Sequence, residues 1–441
     1  MRRTRWLRHG AVISVLALAL AACGDNGDDP GDDDEVETPE NGDDQDENGD
    51  DDDDGEAGDD VDIDRPERDE ALNLGYLMPE TGDLATLGVP QIAAIQMAIE
   101  DINEAGGVLG NDVTLATADE AGDGAAAREE VARLINDGVD AVVGAAASGM
   151  SQEVIDLTHD NEIVQCSASN TAPDFSDQAN NSYYIRTVPP DEAVAPLIGQ
   201  TVIGDGWSNV AVLARADDYG VALAGLVIDE LEGQVDIALE EEYNPDDPDF
   251  GSLVTEVNNA GADSVVVVGF DEAHDLYRQL IEGGVDPGSM YGGDGLFGPG
   301  LEEAVGVDIT GLKVIGAAGG EDFNERLNEQ MGDSDQGNVI YGGQAYDCGI
   351  VIALAAITAG STDPADFNDE LEGVTQDGTE CTSFEDCAAL LEDGEDIDYV
   401  GVSGPLNLDR PDPTVGRYTI GEFTDGQLEI VGESDVDLSD L

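Results

Sequence analysis

Beyond residue 70 the chain alternates between two hydrophobic periods. Short apolar runs closed by glycine or a polar residue read as buried strands: 73–77, 112–118, 140–144, 163–167 and 183–187, then 209–213, the β-branched run 264–268 and a segment near Met290. Between them, apolar residues recur at helical spacing over 89–104, which stops at Gly106-Gly107, and over 125–136 and 151–159. A further apolar helix is expected at 346–359, and acidic strands after Gly421. Strand and helix alternating in this way predict parallel sheets covered on both faces, with ligands at the carboxyl ends of the strands. The span 71–441 is longer than a single hydrophobic core usually grows, so two lobes are expected.

The first 64 residues follow neither period. Arg2, Arg3, Arg5 and Arg8 precede a largely apolar run over 11–19 and then Leu20-Ala21-Ala22-Cys23-Gly24. A basic head and a short apolar core make an export signal, and the core is too short to span a bilayer stably. Small residues before Cys23 resemble a lipoprotein cleavage site, at which Cys23 would be acylated and become the new N-terminus; residues 1–22 would be removed. The Arg2-Arg3 pair leaves a twin-arginine export route open. Residues 24–64 are mostly Asp, Glu, Gly and Asn, with the run Asp50 to Asp54. Like charges repel and little apolar surface is present to offset ordering, so the stretch 23–71 is expected to be a solvated tether between lipid and folded part. It lacks the spaced loop and closing bidentate Glu of a calcium site.

Acidity continues through the globular region. The formal net charge is −86 at pH 7, and Lys313 is the single lysine. Self-repulsion on this scale loosens a fold at low ionic strength, whereas at molar salt the Debye length falls to about 3 Å. The expectation is a halophile's protein. Nothing here could neutralise phosphates, which excludes nucleic acid and anionic membrane surfaces as electrostatic partners.

Several strings, in collinear order, carry a resemblance. They are Gly75-Tyr76-Leu77-Met78-Pro79-Glu80-Thr81-Gly82-Asp83-Leu84-Ala85-Thr86-Leu87-Gly88, Ala98-Ile99-Glu100-Asp101-Ile102-Asn103-Glu104-Ala105-Gly106-Gly107-Val108-Leu109-Gly110, and Asp137-Gly138-Val139-Asp140-Ala141-Val142-Val143-Gly144. Tyr184-Ile185-Arg186-Thr187-Val188-Pro189-Pro190, Asp218-Tyr219-Gly220 and Gly404-Pro405-Leu406 follow. Together they resemble the leucine/isoleucine/valine-binding proteins of ABC importers. The resemblance implies a type I periplasmic-binding fold of the α/β class, with two Rossmann-like lobes of mostly parallel sheet joined by three hinge crossings. Lobe 1 is expected over 72–189 plus 318–400 and lobe 2 over 190–317 plus 401–441, with the hinge near Pro189, Ala317 and Gly401.

Residue by residue, the resemblance implies a site for an amino acid's zwitterion. Ser148, in Ala147-Ser148-Gly149, and Thr171 match hydroxyls that bind an α-carboxylate, and Ser169 falls where a backbone carbonyl accepts from the α-ammonium. Two hydroxyls and neighbouring amides make an anion cradle without a basic side chain. Tyr219 matches a ligand contact in the second lobe. Asp294, in Gly292-Gly293-Asp294-Gly295, stands where the family often carries Glu and would pair with the ammonium from one methylene farther back. Phe270 stands where the branched-chain binder has Tyr, which leaves ligand identity open. Leu87 and Tyr341 match positions that line the ligand's side chain.

Cysteine use suits an exported protein. Cys381 and Cys387 flank a short polar loop and are expected to form a disulfide, while Cys166 in a strand and Cys348 in the apolar helix read as buried small hydrophobes. Enzymatic chemistry is not expected. The three histidines, His9, His159 and His274, form no metal-ligand spacing, and Gly292 to Gly295 lacks the dinucleotide fingerprint, so neither metal nor cofactor is anticipated. The expected function is amino-acid capture outside the cytoplasmic membrane by a lipid-anchored monomer that serves an ABC permease and its ATPase. Two alternatives stay open: a binder of urea or short amides, and a sensory ligand-binding lipoprotein.

Overall fold

The computed structural model describes residues 63–439 apart from 69, 83, 177–181, 318 and 333–337. The expected export signal, Cys23 and nearly all of the acidic tether lie outside the described residues.

Two sheets organise the chain. The first contains β1 (Asn73–Met78), β2 (Thr114–Asp119), β3 (Ala141–Gly144), β4 (Val164–Ser167) and β5 (Tyr184–Arg186), all parallel, in the order β2-β1-β3-β4-β5. Helices α1 (Ala85–Glu104), α2 (Gly124–Asp137) and α3 (Ser148–Asp160) connect the first four strands. β3 and β4 are buried along their whole length, which explains their unbroken apolar character. α2 shows how local sequence sets an element: the Asp123 side chain accepts from the Ala126 amide at its start, and Gly138 closes it at φ 88°.

The chain then crosses to α4 (Asp191–Gly204) and the second sheet. Strands β6 (Asn209–Arg215), β7 (Asp236–Tyr243), β8 (Ser264–Val268), β9 (Met290–Gly292) and β10 (Lys313–Ala317) are parallel, with α5 (Asp218–Leu231), α6 (Gly251–Ala260), α7 (Ala273–Glu282) and α8 (Leu301–Val305) between them. Next, α9 (Glu321–Met331), α10 (Gly342–Ala359), α11 (Pro364–Phe367) and α12 (Phe384–Glu392) return to pack around α1 and the first sheet. The small strand β11 (Thr379–Cys381) lies between α11 and α12, and after α12 come β12 (Ile397–Gly401) and β13 (Gly404–Pro405), then the ribbon β14 (Leu408–Asp409) and β15 (Asp412–Pro413). Last, β16 (Val415–Thr424) and β17 (Gln427–Asp437) add an antiparallel edge to the second sheet, whose order is β17-β16-β10-β9-β8-β6-β7. In each sheet the order reverses beside its first strand, at β1/β3 and at β6/β8, where carboxyl ends open a crevice.

α10 is long and apolar enough to cross a bilayer, yet it is largely buried inside the protein. It packs on α1 through small residues: a Cβ at Gly349 would stand 3.1 Å from the Ala98 methyl. The reading of Cys166 and Cys348 as separate buried thiols is corrected here, because the two are joined and tie β4 to α10 across 182 residues of sequence. Cys381 and Cys387 are also joined, with Cα atoms 5.4 Å apart. The segment between them is not a plain loop, since Ser383 accepts from the Asp386 amide and starts α12.

Candidate ligand-binding site

On the first sheet's side, the loops after β3 and β4 are laced together. Ser169 Oγ donates to the Ala146 carbonyl (2.8 Å), and Asn170 Nδ2 donates to the carbonyls of Ala145 (3.2 Å) and Ala146 (2.9 Å). Ser167 Oγ also donates to Ala145 (3.0 Å). Ser148 is buried at the first position of α3, whose leading amides have no partner within the helix and whose dipole favours an anion. Behind them the Glu120 carboxylate is fully buried and accepts from the Ala146 amide (3.1 Å); burial pushes it up to about 8.

Arg186 holds the second of these loops. Its guanidinium is fully buried, donates to the carbonyls of Asn170 (2.8 Å) and Ala172 (2.9 Å) and to Ser176 Oγ (2.7 Å), and pairs with Asp412 (2.5 Å). The Thr171 carbonyl is taken by the Asp191 amide (2.8 Å). Of the four successive carbonyls from 169 to 172, that of Ser169 is left to accept a new donor among the described hydrogen bonds.

The second sheet's side presents an acid on an aromatic mount. Asp217 caps α5 by accepting from the Gly220 amide (2.9 Å), which fixes Tyr219 at the helix start. Tyr219 donates to Asp294 Oδ1 (2.7 Å), which also accepts from the Gly295 amide (2.9 Å). Phe270 stacks on Tyr219 with ring centroids 4.8 Å apart, and the Arg215 guanidinium covers its other face at 4.4 Å. A side chain at Gly295 would collide with Phe270, so this turn needs glycine to bring Asp294 close. Asp294 is buried and its carboxyl is raised above the usual range by desolvation, against which the hydroxyls of Tyr341 and Tyr219 work.

The two sides meet. Thr86 on α1 donates to Asp271 beyond β8 (2.5 Å), and Leu84, Leu87, Phe270, Leu296, Phe297 and Ile340 help to line a cavity of ≈ 130 Å³. A Cβ at Gly149, next to Ser148, would come within 3.7 Å of Asp218 Oδ2. Thus Ser148, Ser169 and Thr171 gather on the first sheet's side and Tyr219, Phe270 and Asp294 on the second's; Tyr341 bears on Asp294, and Leu87 shares the cavity with Phe270.

The sequence reading passed over three groups in or behind this site. Arg186 and Glu120 organise the loops, and Asp191, the first residue of α4, is fully buried. Neither its two oxygens nor Thr171 Oγ1 has a partner in hydrogen-bond geometry, although the Thr171 hydroxyl is near enough to favour the carboxylate. Burial first, and the charge of Asp294 second, hold the Asp191 carboxyl well above the ordinary range. A charged residue inside an apolar strand was the available signal for Arg186; an acid just after Pro189-Pro190 reads as ordinary helix-start chemistry. Among the described residues no cluster of metal-ligating side chains occurs. The arrangement is suited to gripping a cation between carboxylates while hydroxyls and amides face an anion.

Comparisons with known proteins bear on the fold and the family. Residues 71–390 match the sequence profile of the family described as periplasmic binding protein. The Leu/Ile/Val-binding protein BraC3 of Rhizobium johnstonii is 27% identical over 242 residues, which cover 54% of this chain and 65% of that one. The chemotactic signal transduction system substrate-binding protein BasB of Halobacterium salinarum is 24% identical over 382 residues, 82% of this chain and 89% of that one. The crystal structure of a leucine binding protein, LivK, from Thermotoga maritima superposes with a TM-score of 0.70 at 20% identity, covering 84% of this chain and all of the other, 100%. That likeness shows a shared type I fold, and the profile match shows that the chain belongs to the periplasmic binding protein family.

Proposed function

We propose that this protein captures an amino acid, branched-chain or related, outside the cytoplasm and delivers it to an ABC permease and its ATPase. It acts as a monomer held to the outer face of the membrane by lipid on Cys23. The observation that supports this reading is Asp294: a buried carboxylate that accepts from Tyr219 on the second sheet's side, while the buried Ser148 starts α3 on the first sheet's side. A zwitterion satisfies both walls at once, with the ammonium at Asp294 and the carboxylate at Ser148, Thr171 and the nearby amides. The cavity beside Leu87 and Phe270, of mixed lining that includes Thr86, Asp271, His274 and Asn338, takes the side chain. Contacts from both walls favour the closed arrangement, so the ligand shifts an open–closed equilibrium of lobes 72–189 plus 318–400 and 190–317 plus 401–441. The same capture step would serve a sensory role, a reading favoured by the similarity to BasB.

Calorimetric titration in molar potassium chloride against the standard amino acids, urea and short amides tests the reading. Saturable binding of an amino acid supports it. Binding confined to amides, with Asp294→Ala harmless, would replace it with amide capture.

A further inference from the structure

Asp191 is not doing the work of a helix cap. It follows Pro190 at the start of α4, yet neither of its oxygens accepts from the helix's own amides or from any other described group. The residue is fully buried. The titratable and charged groups around it come from several elements: Asp294 after β9, Arg186 on β5, Glu192 beside it on α4, Tyr219 on α5, Tyr341 before α10 and Tyr418 on β16. Arg186 is the cation among them, and four of its five N–H donors are engaged by Asp412, Asn170, Ala172 and Ser176. Two buried carboxyls therefore lie close together with neither in an ion pair among the described residues, a costly arrangement unless a cation arrives.

We propose that Asp191 is a direct ligand contact that grips the ligand's ammonium together with Asp294, so that the site selects primary ammonium compounds over neutral amides and simple carboxylic acids. An ammonium has three N–H donors. Asp191 from the first crossing, Asp294 from the second sheet and the open Ser169 carbonyl from the first supply three acceptors. Because Asp191 lies where the chain passes between the sheets, the ammonium also offsets the repulsion between two acids that otherwise opposes their approach. This assignment rests on the amino-acid reading above.

The test uses the full chain in molar potassium chloride, wild type beside Asp191→Asn and Asp191→Ser. Each is titrated with L-leucine, L-isoleucine and L-valine, and with 4-methylpentanoate, which keeps leucine's skeleton without the ammonium. The thermal midpoint of each unliganded protein is measured as well. The expected result is at least a tenfold loss of amino-acid affinity in both variants, no binding of 4-methylpentanoate by the wild type, and an unchanged or higher midpoint in at least one variant, since a repulsive buried charge is gone. A purely structural Asp191 would lower midpoint and affinity together in both variants, which overturns the assignment. Wild-type binding of an amino acid with variant affinities within threefold also overturns it while leaving the amino-acid reading intact. Wild-type binding of 4-methylpentanoate in place of amino acids overturns that reading and this assignment with it.

Discussion

Asp294 and Ser148 stand on opposite walls, and charge separates what they contribute. Removing a hydroxyl that donates to a charged group costs about 1.5–3 kcal/mol, or about ten- to over a hundredfold in affinity. Removing the Asp294 carboxylate leaves an ammonium facing a closed site, so Asp294→Ala is expected to weaken amino-acid binding more than Ser148→Ala; the ratio of the two dissociation constants checks this. Glu120 gives a pH signature. Its carboxyl is raised from 4.5 to about 8 by burial, so its charged form is disfavoured in the fold. Stability is therefore greatest below the unfolded value and is lost as pH rises toward about 8, by at most about 1.4 kcal/mol per pH unit. Thermal unfolding from pH 5 to 9 should show wild type falling relative to Glu120→Gln, and parallel curves would refute the assignment. The family resemblance pointed to Ser148, Thr171, Tyr219 and Asp294, each of which lies at or near a strand or helix end. It did not reveal Asp191, since an acid at a helix start looks the same whether solvated or stranded in a crevice.

At the level of elements, buried strands such as β3, β4 and β8 could be read as apolar runs because both their faces are covered. Helix starts were less legible. α10 begins at Gly342, four residues before the apolar pattern suggested, because Gly342-Gly343 reads as a break although both glycines are buried in the helix. The Cys166–Cys348 pairing depends on α10 lying against β4, which no spacing in the sequence discloses. Its long closed loop should matter more than the short one at Cys381–Cys387: chain-entropy arguments give about 5 against about 2 kcal/mol. Thermal midpoints of Cys166→Ala/Cys348→Ala and Cys381→Ala/Cys387→Ala are expected to fall in that order, and equal losses would show that loop length does not govern them.

For the molecule as a whole, a net charge of −86 outweighs the few ion pairs available to it, and even Lys313 is taken by Asp205 (2.5 Å). Screening lowers this repulsion, so the thermal midpoint should climb steeply between about 0.1 M and about 2 M potassium chloride. A flat response would contradict a halophilic design. Charge predicts this dependence without naming the ligand, whose proposed recognition draws on groups from both sheets. The most direct measurement is a crystal structure with the tightest-binding amino acid from the calorimetric panel. The ammonium is expected within hydrogen-bond distance of Asp294 and the carboxylate at Ser148 and Thr171, with the side chain beside Leu87 and Phe270. A ligand seated with its carboxylate toward Asp294, or outside the crevice altogether, would contradict the zwitterion site.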